Sequence, residues 1–232
     1  MMPLPILVSA ACVFILLLSG CNDAPGYPKP SAEVLRPQDQ LSFDILYRQN
    51  CSACHGADGQ NGAAIDLGNP EYQALVDDRS LRKWISSGMP GTQMPAFAIS
   101  MGGTLTDSQI DAIVLGMRNT WSQRAVLGGR NAPPYAQDQK GDALRGKEQY
   151  NTDCASCHRA SKQQVTSPDY LALVSDQTLR SIIIAGRTDI GHPDWRGDKS
   201  GSPLSAQDVT DIVTYLGSSR SATPGQPYRR DR

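Results

Sequence analysis

Apolar side chains recur at helical spacing near the ends of two similar stretches, as Ile110, Ile113, Val114 and Met117 and again as Val209, Ile212, Val213 and Leu216. The i, i+3, i+4, i+7 pattern predicts an amphipathic helix at each place, with one face turned to a core. Each helix has a start signal. Thr106 stands three residues before Gln109 and Ser205 three before Asp208, so a side-chain oxygen can satisfy the first free backbone amides. The pattern also predicts a helix leading into Cys51 and into Cys154, and another ending at Gly88 or Gly186, where the missing Cβ permits a left-handed cap.

These parallels indicate internal duplication. Residues 70–88 (PEYQALVDDRSLRKWISSG) align without a gap with residues 168–186 (PDYLALVSDQTLRSIIIAG), and only the Gly-rich loop between Gly56 and Gly68 is longer in the first copy. The stretch Ser122–Lys140, with Gly128-Gly129 and Pro133-Pro134, has no helical period and reads as a linker.

Each copy carries Cys-x-x-Cys-His, as Cys51-Ser52-Ala53-Cys54-His55 and as Cys154-Ala155-Ser156-Cys157-His158, the signature of covalent haem c attachment. Two thiols three positions apart reach the two vinyl groups of one porphyrin, and the next imidazole lies beneath the iron. The competing readings are a redox disulfide and half of a four-thiolate zinc site. A zinc site needs both motifs brought together, and a dithiol redox site needs a strand-helix context that neither stretch supplies. Two haem c groups are therefore expected, on Cys51, Cys54, Cys154 and Cys157, with His55 and His158 as proximal iron ligands.

Residues 4–18 are almost wholly apolar, too short to span a membrane but right for the hydrophobic region of an export signal. No Lys or Arg precedes the run, unlike an ordinary signal peptide. It ends in Leu18-Ser19-Gly20-Cys21, which resembles the lipobox of bacterial lipoproteins and implies a lipidated Cys21 as mature amino terminus. Ordinary cleavage nearby and a short uncleaved anchor are the alternatives. With Cys12 in the signal and Cys21 lipidated, the folded part keeps only the four motif cysteines. A structural disulfide would then displace haem, and porphyrin burial takes over the stapling role.

Helix, CxxCH, loop, helix, ligand loop and final helix is an order that resembles the class I cytochromes c over roughly residues 37–217, and the chain is similar to the tandem dihaem members of that group. The resemblance implies an all-α fold of two tandem domains, each wrapped around one haem. At about 80 residues per copy, the porphyrin itself must supply much of each core. The expected organisation is a signal at 1–20, a Pro-rich membrane-proximal linker at 21–36, cytochrome domains at 37–121 and 141–218, a linker at 122–140 and a basic tail at 219–232.

In class I cytochromes a Met-Pro pair in the ligand loop closes the distal side of the haem. Counting from the shared glycine, Met94-Pro95 of the first copy aligns with His192-Pro193 of the second. The resemblance thus implies Met94 as distal ligand of the first iron and His192 of the second. No Met follows Met117, and His192 is the only His outside the two motifs. Met89 is an alternative in the first loop, as are Lys199 or an open position in the second. Thioether sulfur favours Fe(II) more than imidazole does, so the first haem is expected to have the higher potential.

The same family commonly crosses its terminal helices with a small residue facing an aromatic, which Gly146 and Tyr215 match in the second copy. In the first copy Phe43 and Gly116 hold these positions in reverse, so the aromatic is expected to have moved to the other helix with the filled volume kept.

A formal charge of −1 gives no basis for a nucleic-acid surface. Arg220, Arg229, Arg230 and Arg232 make the end basic, and its Pro and Gly content reads as a solvated tail. No nucleophile, general-base or phosphate constellation is visible, so neither an enzyme nor a small-molecule substrate is expected. The leading expectation is a lipid-anchored, extracytoplasmic dihaem electron carrier working between a membrane-associated donor and a redox protein acceptor such as a terminal oxidase. A fixed subunit of a larger respiratory or dehydrogenase complex, or a dihaem enzyme with an open second haem, are the alternatives.

Overall fold

The computed structural model describes residues 35–123, 126–158, 165–197 and 202–222. The apolar run 4–18, Cys21, Lys199 and the end from 223 lie outside these. The chain divides into two compact units, 1–39 and 40–232, and both copies of the repeat belong to the second. Among the described residues the structure is helical, with isolated β-bridges at Ala98–Leu105 and Arg187–His192. None of their helices is long and apolar enough to cross a membrane.

The first repeat comprises α1 (Phe43–Asn50), α2 (Ser52–His55), α3 (Pro70–Leu75), α4 (Asp78–Ser87) and α5 (Asp107–Trp121). The second repeats the order with α6 (Ala143–Asp153), α7 (Ala155–His158), α8 (Pro168–Leu171), α9 (Asp176–Ala185) and α10 (Ala206–Gly217). In each repeat the first helix packs on the last, α1 on α5 and α6 on α10. Both capping boxes form, Thr106 with Gln109 and Ser205 with Asp208. The apolar faces read from periodicity are the buried ones: Ile110, Ile113 and Met117 in one core, and Val209, Ile212 and Leu216 in the other.

The helix crossings differ as the exchanged residues require. In the first repeat the ring of Phe43 lies directly against Gly116, where a Cβ would have no room. In the second, Gly146 faces the backbone of Asp211 and Ile212, one turn before Tyr215, which corrects the expected pairing. The aromatic space itself is filled alike in both. Tyr47 of α1 has Phe43 as its neighbour at 5.6 Å, whereas Tyr150 of α6 has Tyr215 at 5.5 Å.

The stretch between the repeats is bound to both. Tyr135 accepts a hydrogen bond from Trp84 Nε1 of α4 at 2.8 Å, and the Pro134 carbonyl accepts two from the Arg180 guanidinium of α9 at 2.9 and 2.8 Å. Arg220, grouped by sequence with the basic tail, is also docked. It donates to the Leu171 and Val174 carbonyls at 2.9 and 3.1 Å and pairs with Asp176 at 2.6 Å. Arg118 does the same in the first repeat, bonding the Val76 carbonyl at 2.6 Å and Asp78 at 2.7 Å. These are carbonyls at short-helix ends, which need an outside donor.

Candidate haem sites

The end of α1 delivers the first motif. The Cys51 N–H closes on the Tyr47 carbonyl at 2.8 Å and the His55 N–H on that of Cys51 at 3.0 Å. Cys51 and Cys54 are thus one turn apart, on neighbouring positions of one helical face. The second motif repeats the geometry, with Cys154 N to Tyr150 O at 2.9 Å and His158 N to Cys154 O at 3.0 Å. No disulfide joins the motif cysteines. Burial, with Cys54 adding, pushes the Cys51 thiol up to about 12. Burial also pushes Cys154 up to about 11, with Asp153 and Cys157 adding. Dithiol redox sites hold their attacking sulfur as a low-pKa thiolate, and the shifts at Cys51 and Cys154 run in the opposite direction. Among the described residues no cluster of three or more His, Cys, Asp or Glu is arranged to hold a metal ion, so the two CxxC pairs are not joined into a zinc site.

His55 is buried, and its Nδ1 donates to the Ile65 carbonyl at 2.8 Å. That bond fixes the ring and leaves Nε2 as the ligating nitrogen. Burial holds the imidazole below its ordinary pKa, against the pull of the Ile65 carbonyl, with Arg187 adding to the depression. A neutral imidazole is the form that binds a metal.

The two ligand loops superpose in their hydrogen bonding. Met89 N donates to Met94 O at 3.1 Å, and Arg187 N to His192 O at 3.1 Å. Each loop folds back on the glycine that ends α4 or α9. A Cβ on Gly88 would meet the Met94 carbonyl at 2.8 Å and one on Gly186 the His192 carbonyl at 2.8 Å. Their φ values, 67° and 74°, are positive as expected, but ψ lies near 180° rather than in the left-handed helical region. The combination of positive φ with ψ near 180° is nearly closed to residues other than glycine. Met94 and His192 therefore occupy equivalent places in three dimensions. Met89 is engaged elsewhere: its sulfur accepts from Ser175 Oγ and Thr178 Oγ1, both at 3.2 Å, at the start of α9.

In the second repeat the rings of His158 and His192 are neighbours, with centroids 5.9 Å apart and planes inclined at 42°. His192 Nδ1 and Trp195 Nε1 are buried without a partner. Burial lowers the His192 pKa against the pull of the backbone at Pro193, and His158 and Arg187 add to the depression.

The repeats meet along the haem-binding loops, which sequence reasoning missed. Asn69, 1% exposed, caps α3 through Oδ1 and donates through Nδ2 to the Ala185 carbonyl at 2.9 Å. Arg187 donates to the Ala64 and Gly62 carbonyls at 2.8 and 3.0 Å, and Arg196 pairs with Glu71 at 2.9 Å. The only visible hint in the sequence is that the copies differ right after the shared glycine, Met89 in one and Arg187 in the other.

Two family models match this chain. Residues 41–115 match the cytochrome c oxidase, cbb3-type, subunit III family, and residues 143–220 match the cytochrome c family. The chain is a tandem cytochrome c of two class I domains. Two such domains carry two covalent haem c groups, one on Cys51 and Cys54, the other on Cys154 and Cys157. Among similar proteins, the cbb3-type cytochrome c oxidase subunit CcoP of Azospirillum sp. (strain B510) is 29% identical over 154 residues, 56% of this chain and 45% of that one. The dihydro-heme d1 dehydrogenase of Pseudomonas aeruginosa is 41% identical over 71 residues, 31% of this chain and 13% of that protein. The cytochrome thus spans less than half the length of these curated relatives. A chain of the Kuenenia stuttgartiensis reducing HAO-like protein complex aligns with a TM-score of 0.45 and 17% identity over 77% of this chain and 96% of that one.

The residues fit the groups the family implies. His158 and His192, whose ring centroids lie 5.9 Å apart, are the pair that would hold the second iron, at a separation that would leave room for one metal ion between them. The buried Trp195 Nε1, which has no partner among the described residues, is a polar atom of the kind that an absent group explains.

Proposed function

We propose that this cytochrome is a two-centre electron carrier in which His55 and Met94 ligate the first iron and His158 and His192 the second. The observation that carries this is the equivalence of Met94 and His192 on matching loops, joined to the closeness of the His158 and His192 rings. Bound haem supplies one-electron Fe(II)/Fe(III) chemistry. The chain's own residues favour the neutral imidazole at His55 and His192, orient His55 through Ile65 and fix both ligand loops against Gly88 and Gly186. Methionine ligation raises the potential of a haem relative to bis-imidazole ligation. Axial ligands help move haem potentials over about 0.8 V, and each 59 mV is tenfold for one electron, so the electron rests on the Met94 side.

The apolar leader and Cys21 support export and lipid anchoring on an extracytoplasmic face. Electrons then pass between a membrane-associated donor and an acceptor such as a terminal oxidase, with no small-molecule substrate and no nucleic acid involved. The likeness to an oxidase subunit favours a second reading, in which the cytochrome is a fixed part of a larger respiratory assembly. The test is a spectroelectrochemical titration of both haems. Two one-electron waves are expected, with a methionine-sulfur charge-transfer band lost in Met94→Ala and a low-spin bis-imidazole signal lost in His192→Ala. Two Met-ligated haems, or a high-spin second haem that binds peroxide rapidly, count against the assignment.

A further inference from the structure

Arg187 belongs to the ligand loop of the second repeat but reaches into the first. Its backbone is locked to His192 in both directions, N to O at 3.1 Å and O to N at 2.9 Å. Its guanidinium bonds the carbonyls of Gly62 and Ala64, and the next residue, Ile65, orients His55. Asp189 neutralises it through two contacts, 2.9 and 2.8 Å, and accepts the N–H of Asn61 at 2.8 Å. Asn61 adopts the left-handed conformation, at φ 59°. The pair is sealed, with side-chain exposures of 9% for Arg187 and 0% for Asp189. An isolated surface ion pair is worth little, but one buried between two redox sites acts on both through a weakly screening medium.

Resting on the ligand assignment above, we propose that Arg187, with Asp189 as its counter-charge, is a positioning residue shared by both haem sites that sets the two reduction potentials together. An oxidised haem carries one more positive charge than a reduced one, so a nearby cation disfavours oxidation and a nearby anion favours it. A unit charge about 10 Å away at an effective dielectric of about 20 changes an equilibrium by about tenfold.

The test is the potential of each haem in the purified dihaem protein at pH 8. Arg187→Gln exposes Asp189 uncompensated and lowers both potentials, by about tenfold in each reduction equilibrium, which is about 59 mV. Asp189→Asn removes the bonded counter-charge of Arg187, leaving Asp66 nearby as a weaker one, and raises both. Arg187→Lys keeps the charge and restores most of the shift. Loosened packing alone gives Arg187→Gln and Asp189→Asn shifts of one sign, so like-signed shifts, or a shift confined to one haem, overturn the proposal. If Arg187→Gln fails to mature, Asp189→Asn decides: a rise in both potentials is expected, and a fall, or a shift confined to one haem, overturns the proposal. Wild-type spectra lacking one Met-ligated and one bis-imidazole haem tell against the ligand assignment instead, independently of the variant potentials.

Discussion

Gly116 is buried on α5 beneath the ring of Phe43, and a Cβ there would fall onto that ring's edge. Two effects oppose each other in Gly116→Ala. Alanine in place of glycine in a helix interior gains about 1 kcal/mol, while forcing atoms into a filled crossing costs about 1–3 kcal/mol. The expected net is a loss of up to about 2 kcal/mol, because the atom in the way is a ring held between Tyr47 and Trp121, at 5.6 and 5.5 Å, rather than a free side-chain end. Gly116→Tyr has no propensity gain of that size and carries the whole overpacking cost. Phe43→Gly opens a partly exposed cavity at a cost of up to about 3 kcal/mol. The double variant Phe43→Gly/Gly116→Tyr rebuilds in the first repeat the arrangement of Gly146 and Tyr215 in the second, and a coupling of about 0.5–3 kcal/mol in the recovering direction is expected. The assay is guanidinium denaturation of the holoprotein followed by far-ultraviolet circular dichroism and haem absorbance, compared at the midpoint. A stabilised Gly116→Ala, together with strictly additive effects in the double variant, would refute the reasoning that Phe43 fills the space over Gly116.

Two further outcomes are expected. Cys21→Ser releases the cytochrome from membranes with both haems still attached; a variant that stays bound through salt and carbonate washing excludes the lipid anchor. Asp66 is buried, and burial with Asp189 nearby raises its carboxyl to about 6 from 3.8, against the pull of Arg187. The folded state then binds this proton more tightly than the unfolded one, so stability is lost as pH rises from about 4 through about 6 and stays lower above it. Asp66→Asn removes that slope and raises the denaturation midpoint at pH 8, and an unchanged slope between pH 4 and 6.5 in the variant assigns the titration to another group.

The sequence by itself determined the elements and the haem chemistry, because both are written locally. A capping box spans four residues, an apolar face repeats within two turns, and Cys-x-x-Cys-His needs only one turn of helix to aim two thiols and an imidazole. Duplication was legible for the same reason, and it carried the register that sets Met94 against His192. What the chain could not reveal locally is how the copies meet. Asn69 reads as a cap and is also a cross-repeat donor to Ala185. Arg187 reads as a loop cation and is a clamp on Ala64. Tyr135 lies in a stretch with no helical period, yet it is bound to Trp84. Arg220 reads as part of a solvated tail, and carbonyls at and just after the end of α8 claim it. In each case one polar side chain satisfies a backbone group or partner distant in sequence, and such partnerships leave no period or motif behind. The tertiary structure alone decided them, since burying a carbonyl or a cation is tolerable only where a partner is brought to meet it.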